Sequence, residues 1–496
     1  MQAFNIAPKK HYTMRFLLVP LLALMAMSSS AQNLASTYLQ GSLGFDESAS
    51  FHNKGTYSYS HPEALASQCM WSDGAAVYMF GGTHAQTSQA NSLELNNRLW
   101  KYTPNNGWEL LKGSTGTVVV TTTSSTPVYN GSSDLIYGSP GTASPTNLPG
   151  ARAGASYTSD GNGGFFMYGG YGLGYNGGGK AVGVLEDLWY FDGTNWTSLM
   201  DYVSVGRSAV YGTQGQSNST NTPGSRVGAA LWYKDGHLYL FGGCTSPFNT
   251  TASIGPTFGG LTNMNGKSDL WRFDLSTNQW TWIDGATTSA NFAIQSGTNY
   301  TNPPSTSSAS YCIGANGDFY LYGGYEYWTD VNGTKYYSPA ETLWKYNVDN
   351  GWSLVVGNPN SLSGGSTTTP GWQINAPLIE FNGSLYFFPG LITFNGPQNT
   401  TTVQSVVYKW DGTNWQSVKT CATSSAPGLA YRNDACLGKV AAGAVVLFNG
   451  EVFHYGGVGE SSPIKYSASL TRFDGQNFAA VSSLPANTSN YFNICV

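Results

Sequence analysis

Short runs in which apolar and polar residues alternate, each bounded by Gly, Asn, Asp or Pro, fill residues 63–484. An alternation of period two places one face of a segment inward and the other outward, which predicts β-strands. One stretch shows the unit: 227–233 reads as a first strand, Asp235-Gly236 as a hairpin turn, 237–241 as a second strand, 269–274 as a third and 279–283 as a fourth. The second strand of such a unit ends in a glycine pair five times, at Gly81-Gly82, Gly169-Gly170, Gly242-Gly243, Gly323-Gly324 and Gly456-Gly457, with Phe388-Pro389-Gly390 as an altered sixth copy. Glycine suits a point where the chain turns out with positive φ and a neighbouring backbone passes close. Each pair is followed by a strand carrying an aromatic, Trp100, Trp189, Trp271 and Trp344 among them, and then by Trp108, Trp196, Trp280, Trp352, Trp415 or Phe478. Self-similarity at a long period predicts an array of one supersecondary unit.

The glycine pair followed by spaced aromatics resembles the kelch repeat over most of the chain. That resemblance implies an all-β, six-bladed kelch-type β-propeller, with the first strand of each blade lining the axis and the aromatics wedged between blades. The alternative is seven blades, one assembled from residues 37–42 and 490–496 at the two ends. Pro389, Thr471 and Phe478 depart from the repeat pattern.

Arg15, the apolar run 16–27 and Ser28-Ser29-Ser30-Ala31 read as the three regions of a secretory signal peptide over residues 1–31, with Met14 an alternative start. The expected organisation is then an N-terminal segment at 32–62 with a possible edge strand, the propeller at 63–484, and a tail or closing strand at 485–496. The apolar run is too short to span a bilayer, so a secreted, periplasmic or cell-surface protein without a membrane span is expected. Charged residues are only 10% of the chain, aromatics 14%, and the net charge is −5. With no basic stripe, nucleic acid is not an expected partner. Of six cysteines, Cys421 and Cys436 are spaced to close a loop, while Cys69 and Cys312 read as small buried residues at matching places in two first strands.

Connections between strands one and two, and between three and four, are tight throughout. Every long insertion lies between strands two and three or between one repeat and the next, and in an up-and-down blade both emerge at one end. Binding residues gather on such connections, and these hold Tyr171, Tyr175, Tyr325, Tyr327 and Trp328 beside Asn, Thr and Gly, a mixture suited to sugar faces or protein surfaces. Loop aromatics also pack on one another. Arg152 and Arg226 stand where the chain approaches a first strand. In kelch domains that bind acidic peptides an arginine at the matching point lines the pocket mouth, so the resemblance implies an anion contact; an inter-blade salt bridge or carbonyl clamp is the structural alternative.

The function expected is therefore an exported scaffold that binds a glycan or an extracellular protein on the long-loop face. The enzymatic alternatives carried by the resemblance are a sialic-acid-mutarotase-like epimerase, joining Arg152 or Arg226 with Glu186, Glu326, Glu341 or Asp434, and a galactose-oxidase-like copper enzyme using His52, His61 or His84 near Cys244. No cofactor is expected, with copper and calcium left open. Gly172-Leu173-Gly174-Tyr175-Asn176-Gly177 matches a dinucleotide fingerprint but opens no helix, and is expected to be a flexible loop.

Overall fold

The computed structural model describes residues 61–480, apart from 64, 86–91, 115, 122–133, 201–203, 246–265, 288–300, 330–334, 358–369, 372–373, 375, 389–390, 394–400, 404–405, 421–439, 442, 460–464 and 467–469. The segments expected as a signal peptide and as terminal strands, with His52, Cys421, Cys436 and Asp434, lie outside the described residues.

Every regular element among the described residues is a strand. Among the described residues six antiparallel sheets follow the order expected for one repeat. In the third, Ala230–Lys234, His237–Phe241, Leu270–Asp274 and Gln279–Asp284 pair in sequence, with Lys234 opposite His237 and Leu238 opposite Phe273. Its first strand starts later than the alternation predicts, because Val227 pairs with Cys244 instead. The tight turn at Asp235 and Gly236 has φ of 50° and 79°, the left-handed pair that a two-residue hairpin demands, and Asn382-Gly383 and Asn449-Gly450 repeat it.

The first strands, Cys69–Ser72, Ser156–Ser159, Ala230–Lys234, Ser310–Ile313, Leu378–Phe381 and Ala444–Phe448, lie beside one another in chain order, and the last lies beside the first. Together they line one cavity of about 530 Å³. Between each pair of neighbouring sheets sits a separate aromatic-rich core: Trp71, Phe165 and Trp196 between the first and second, for example, and Trp100, Trp108, Phe453 and Tyr455 between the first and the last. The indole of Trp71 stacks on Phe165 at 3.8 Å, and Trp108 meets Tyr455 edge-on at 5.4 Å. Offset and edge-on aromatic pairs of this kind each add about 0.5–1.5 kcal/mol beyond the area they bury.

The glycine pairs are the joints between sheets. Gly82 N–H donates to Arg152 O, Gly170 to Arg226 O and Gly243 to Thr306 O, each at 2.8 Å, and Gly457 to Leu65 O at 2.6 Å. Each bond runs from one sheet to the lead-in of the next, and the last returns to the first. A Cβ on the first glycine of the pair would stand 2.7 Å from the same carbonyl at Gly81, 2.4 Å at Gly169 and 2.5 Å at Gly242. Both glycines also hold positive φ, 64° and 95° at Gly169 and Gly170, so the pair is required by contact and by conformation alike. Side chains add to the joint: Ser156 Oγ donates to Ala229 O at 2.8 Å, and Gln68 Nε2 to Tyr455 O at 2.8 Å.

Beyond the glycine pairs the chain does not loop freely. Tyr171–Asn176 and Gly179–Val184 form a hairpin whose first strand also pairs with Arg152–Ala153. The stretch Gly172 to Gly177, expected as a flexible loop, is thus a strand and the first residue of its turn. Its glycines serve close packing, since a Cβ on Gly172 would meet Ala151 O at 2.1 Å. Equivalent small sheets join Thr83–Ala85, Ser92–Leu95 and Val118–Thr121, and also Ser305–Ser307, Tyr325–Thr329 and Lys335–Pro339. The small sheets that follow the first two glycine pairs share a core that includes Leu95, Val120, Ala151, Tyr171, Leu173 and Val184, joined by Val227 and Cys244. Because both kinds of long connection leave an antiparallel sheet at one end, this second layer crowns one face while short turns close the other.

The cysteine registers also differ from expectation. Cys69 faces Phe80, and the residue matching it in the fourth sheet is Ser310, opposite Tyr322; Cys312 instead matches Trp71.

Candidate functional site

Arg152 and Arg226 end in buried clusters of the same design. Arg152 Nη1 and Nη2 each donate to one oxygen of Asp187 at 2.6 Å, Nη1 also donates to Gly169 O, and Nε donates to Gly150 O. Asp187 Oδ2 accepts two further bonds, from the Tyr137 hydroxyl at 2.9 Å and Trp189 Nε1 at 2.8 Å. In the next sheet Arg226 grips Asp269, Gly242 O and Pro223 O, while Tyr211 and Trp271 complete the carboxylate at 2.7 and 2.9 Å. Each arginine and its aspartate are at most 1% exposed. Burial alone would raise the Asp269 carboxyl, but the Arg226 charge and the hydrogen bonds from Arg226, Trp271 and Tyr211 bring it below its ordinary value. The aspartate directly precedes the Leu-Trp of the third strand, so one residue ties lead-in, glycine joint and third strand together.

The same slot is filled differently elsewhere. In the first sheet the residue before Leu99-Trp100 is Arg98, paired with Glu63 of the lead-in, so the polarity is reversed. In the fourth sheet Thr306 stands in the arginine's place and Thr342 in the aspartate's. The slot holds Glu326, 4% exposed, whose Oε1 accepts from the Thr342 hydroxyl at 2.9 Å. With no cation among the described residues to offset it, burial pushes this carboxyl up to about 8.

The axial cavity, about 530 Å³, is walled by the first strands of all six sheets. Its wall carries Trp71, Tyr157, Trp232 and Tyr311 among aliphatic and small residues, with Glu380 the one carboxylate and no Lys, Arg or His among the described lining residues. The Tyr311 hydroxyl accepts from Tyr157 N at 2.9 Å and donates to Tyr157 O at 3.0 Å, reaching from the fourth sheet past the third to the second. Burial pushes the Tyr311 hydroxyl and the Cys312 thiol upward, so both stay neutral around pH 7. Such a wall can hold an apolar or stacking group, but offers no acid–base pair. Sequence reasoning missed these four aromatics because it searched the connections; their place in first strands that line an axis was the signal that could have found them.

The other candidates are dispersed. Tyr171 and Tyr325 are buried, and Tyr175 lies partly buried with its ring 5.8 Å from that of Tyr137. Tyr327 and Trp328 lie on the strand Tyr325–Thr329, and their side chains are outside the described residues. The repeated tryptophans Trp100, Trp189, Trp271 and Trp344 are all buried in cores between sheets. Glu186 bonds neither Arg152 nor Arg226 but Arg207, at 3.1 Å. Cys244 is buried in the core of the second layer, bridging Val227 and Gly266. Asp160-Gly161-Asn162-Gly163, a run with the residue types of a calcium loop, forms the turn between strands one and two, with Asp160 Oδ1 accepting from Asn162 N and Gly164 N. Among the described residues no three His, Cys, Asp or Glu side chains converge on a point.

All-β sheets of four strands arranged around a common cavity define a β-propeller. No family description matches the chain, and no curated protein does. Among solved structures, one described as the structure of YjhT is similar at a TM-score of 0.48 and 13% identity, over 84% of this chain and 98% of that one.

Proposed function

We propose that this protein is an exported binding scaffold: a six-bladed kelch-type β-propeller, spanning residues 63–484 behind a signal peptide at 1–31, that recognises a glycan or an extracellular protein on its long-connection face. The observation that carries this reading is the second layer. Connections on that face are paired into small sheets with their own hydrophobic core, while the opposite face is closed by short turns. A rigid platform restricted to one face limits the ordering cost of binding there.

A sugar-active enzyme on the same face is the second reading. It needs an arginine and an acid open to a substrate, whereas all five N–H groups of Arg226 are directed at protein acceptors. Binding is therefore preferred over turnover.

The test is a glycan array and a panel of extracellular proteins probed with the mature chain and with an Asn176→Asp, Lys180→Glu variant. Both residues are exposed at the tip of the hairpin formed by Tyr171–Asn176 and Gly179–Val184. Selective binding that drops at least tenfold in the variant supports the reading. Retained binding, no binding to either panel, or turnover of a bound sugar overturns it.

A further inference from the structure

A second concave site lies at the rim between the second and third sheets, a cleft of about 350 Å³. That is the low end of the range for small-ligand sites, about 300–1,000 Å³. Its wall includes Arg207, Asn218, Ser219, Thr220 and Asn278, over a floor containing Trp280. We propose that this cleft binds a carboxylated saccharide through the outward edge of Arg207.

Arg207 is held rather than loose. Nη1 lies 3.1 Å from Oε1 of Glu186, whose side chain is fully buried, while the Arg207 side chain is 44% exposed. The second oxygen of Glu186 accepts from the Thr222 hydroxyl at 3.1 Å. The Arg207 backbone is fixed at both ends: its N–H donates to Ser225 Oγ at 2.8 Å, and its carbonyl accepts from Ser225 N at 2.9 Å. Glu186 is the only partner of the guanidinium among the described residues, so the remaining donors are open to an acceptor in the cleft. A guanidinium fixed by a buried acid loses little freedom when it clamps a carboxylate on two N–H groups.

Comparison with the preceding repeat separates this pair from a simple tie. The linker from Tyr137 to Gly154 recurs from Tyr211 to Gly228 with Tyr-Gly, Gly, Asn, Pro-Gly, Arg and Gly in the same places. The tyrosine hydroxyl bonds, the Asn147 and Asn221 bonds to Trp196 O and Trp280 O, and the arginine clusters recur with it. At the place of Arg207 the earlier linker has Ser133, and at the place of Glu186 the first sheet has Asn97, whose amide donates to Asp134 O at 2.8 Å. The linker is thus held without any charge in one repeat. A charge that the tie does not require, set half-open on a cavity, fits a ligand of opposite sign.

The rest of the rim selects the body of that ligand. Asn218 Oδ1 accepts from the N–H and hydroxyl of Thr220, both at 3.0 Å, which fixes this amide beside exposed Ser219 and Thr220. Asn278, with φ of 53°, brings a further amide from the turn between the third sheet's outer strands. Amides and hydroxyls surrounding one fixed cation match a polyhydroxylated acid, with hydroxyls for the rim and a carboxylate for Arg207. Among the described residues, none of the hairpins of the long-connection face lines this cleft, so the two sites stand or fall separately.

Calorimetric titration of the full mature chain with a glucuronate-terminated disaccharide tests the assignment, with the neutral glucose-terminated analogue and a sulfated analogue as companions. The acidic sugar is expected to bind at least tenfold more tightly than the neutral one, and Arg207→Gln to remove that difference. Ser219→Glu, an exposed change that leaves the Glu186 contact intact, is expected to lower affinity at least tenfold and covers the case in which Arg207→Gln does not fold. Equal affinity for acidic and neutral sugars, no binding of either, undiminished binding by Ser219→Glu, or preference for the sulfated sugar overturns the proposal.

Discussion

The second and third sheets and the fourth solve the same problem with opposite chemistry. Each must bury a polar slot beneath its glycine joint. In the second and third sheets the slot holds a fully paired ion cluster, and in the fourth it holds one carboxyl whose hydrogen-bond partner is a hydroxyl. Two buried charges cost several kcal/mol each to desolvate and recover this only when paired and hydrogen-bonded throughout. An acid without a cation takes the other course, keeping its proton and staying neutral. The fold therefore requires the slot to be polar and satisfied but does not require it to be charged.

The largest effect should come from breaking the paired design. Asp269→Ala leaves Arg226 buried without a counter-charge and should cost about 3–5 kcal/mol. Thr342→Ala in the fourth sheet removes a hydroxyl from a neutral acid and should cost about 1 kcal/mol. Urea unfolding of both variants measures the contrast, and equal losses would mean that the two slots are not differently charged.

The joint itself should be indifferent to that chemistry. A Cβ on Gly169 would stand 2.4 Å from Arg226 O and one on Gly242 2.5 Å from Thr306 O, so alanine at either should cost about 2–4 kcal/mol from overlap plus left-handed strain. Gly236, with φ of 79° and nothing within 4 Å of where an alanine methyl would stand, isolates the strain and should cost about 1–2 kcal/mol as alanine. A Gly236 variant as damaging as the other two would show that contact contributes nothing.

The lone acid carries a pH signature on the alkaline side. Glu326 in the folded protein titrates at about 8, against an ordinary value of 4.5. Between those values the folded chain keeps a proton that the unfolded chain has released. The contribution is therefore fully present below 4.5 and is lost as pH rises through 8. Glu326→Gln should remove this alkaline loss, raising stability at pH 8.5 by about 2–3 kcal/mol while changing little at pH 4.5. His454 works in the opposite sense: burial lowers it from 6.5 to about 4, so its contribution is present above 6.5 and is lost as pH falls through 4. Thermal melts across pH 3.5–9 resolve the two limbs; an alkaline limb that survives Glu326→Gln would remove the acid from the account.

Much of the scaffold was legible because its constraints are local. A glycine pair after an alternating run, an Asp-Gly or Asn-Gly turn and a Trp one strand later all act within a few residues, and each is found where the pattern places it. The second layer was not legible, since Gly172 and Gly174 resemble loop residues until the backbone they approach is known. The roles of Arg152 and Arg226 were hidden for a related reason. Their partners Asp187 and Asp269 lie beyond a glycine joint and an insertion of variable length, and only folding shows that each joins the lead-in to the third strand. Tyr171 and Tyr325 look free to bind in sequence, but both are buried, Tyr171 in the core that its own hairpin helps to form.

The smallest expected effect tests how far the paired cluster acts as a unit. The Tyr211 hydroxyl donates to Asp269 Oδ2, which also accepts from Arg226 and Trp271. Tyr211→Phe removes one of several bonds to a carboxylate that keeps its bidentate arginine, and should cost about 1–2 kcal/mol. If the bonds polarise one another, the loss should shrink once the carboxylate's charge is gone, giving a coupling of about 0.5–1 kcal/mol between Tyr211→Phe and Asp269→Asn in a double-mutant cycle. Additive losses would mean that the tyrosine merely fills space beside the ion pair, and the contrast with the fourth sheet would then rest on Arg226 and Asp269 alone.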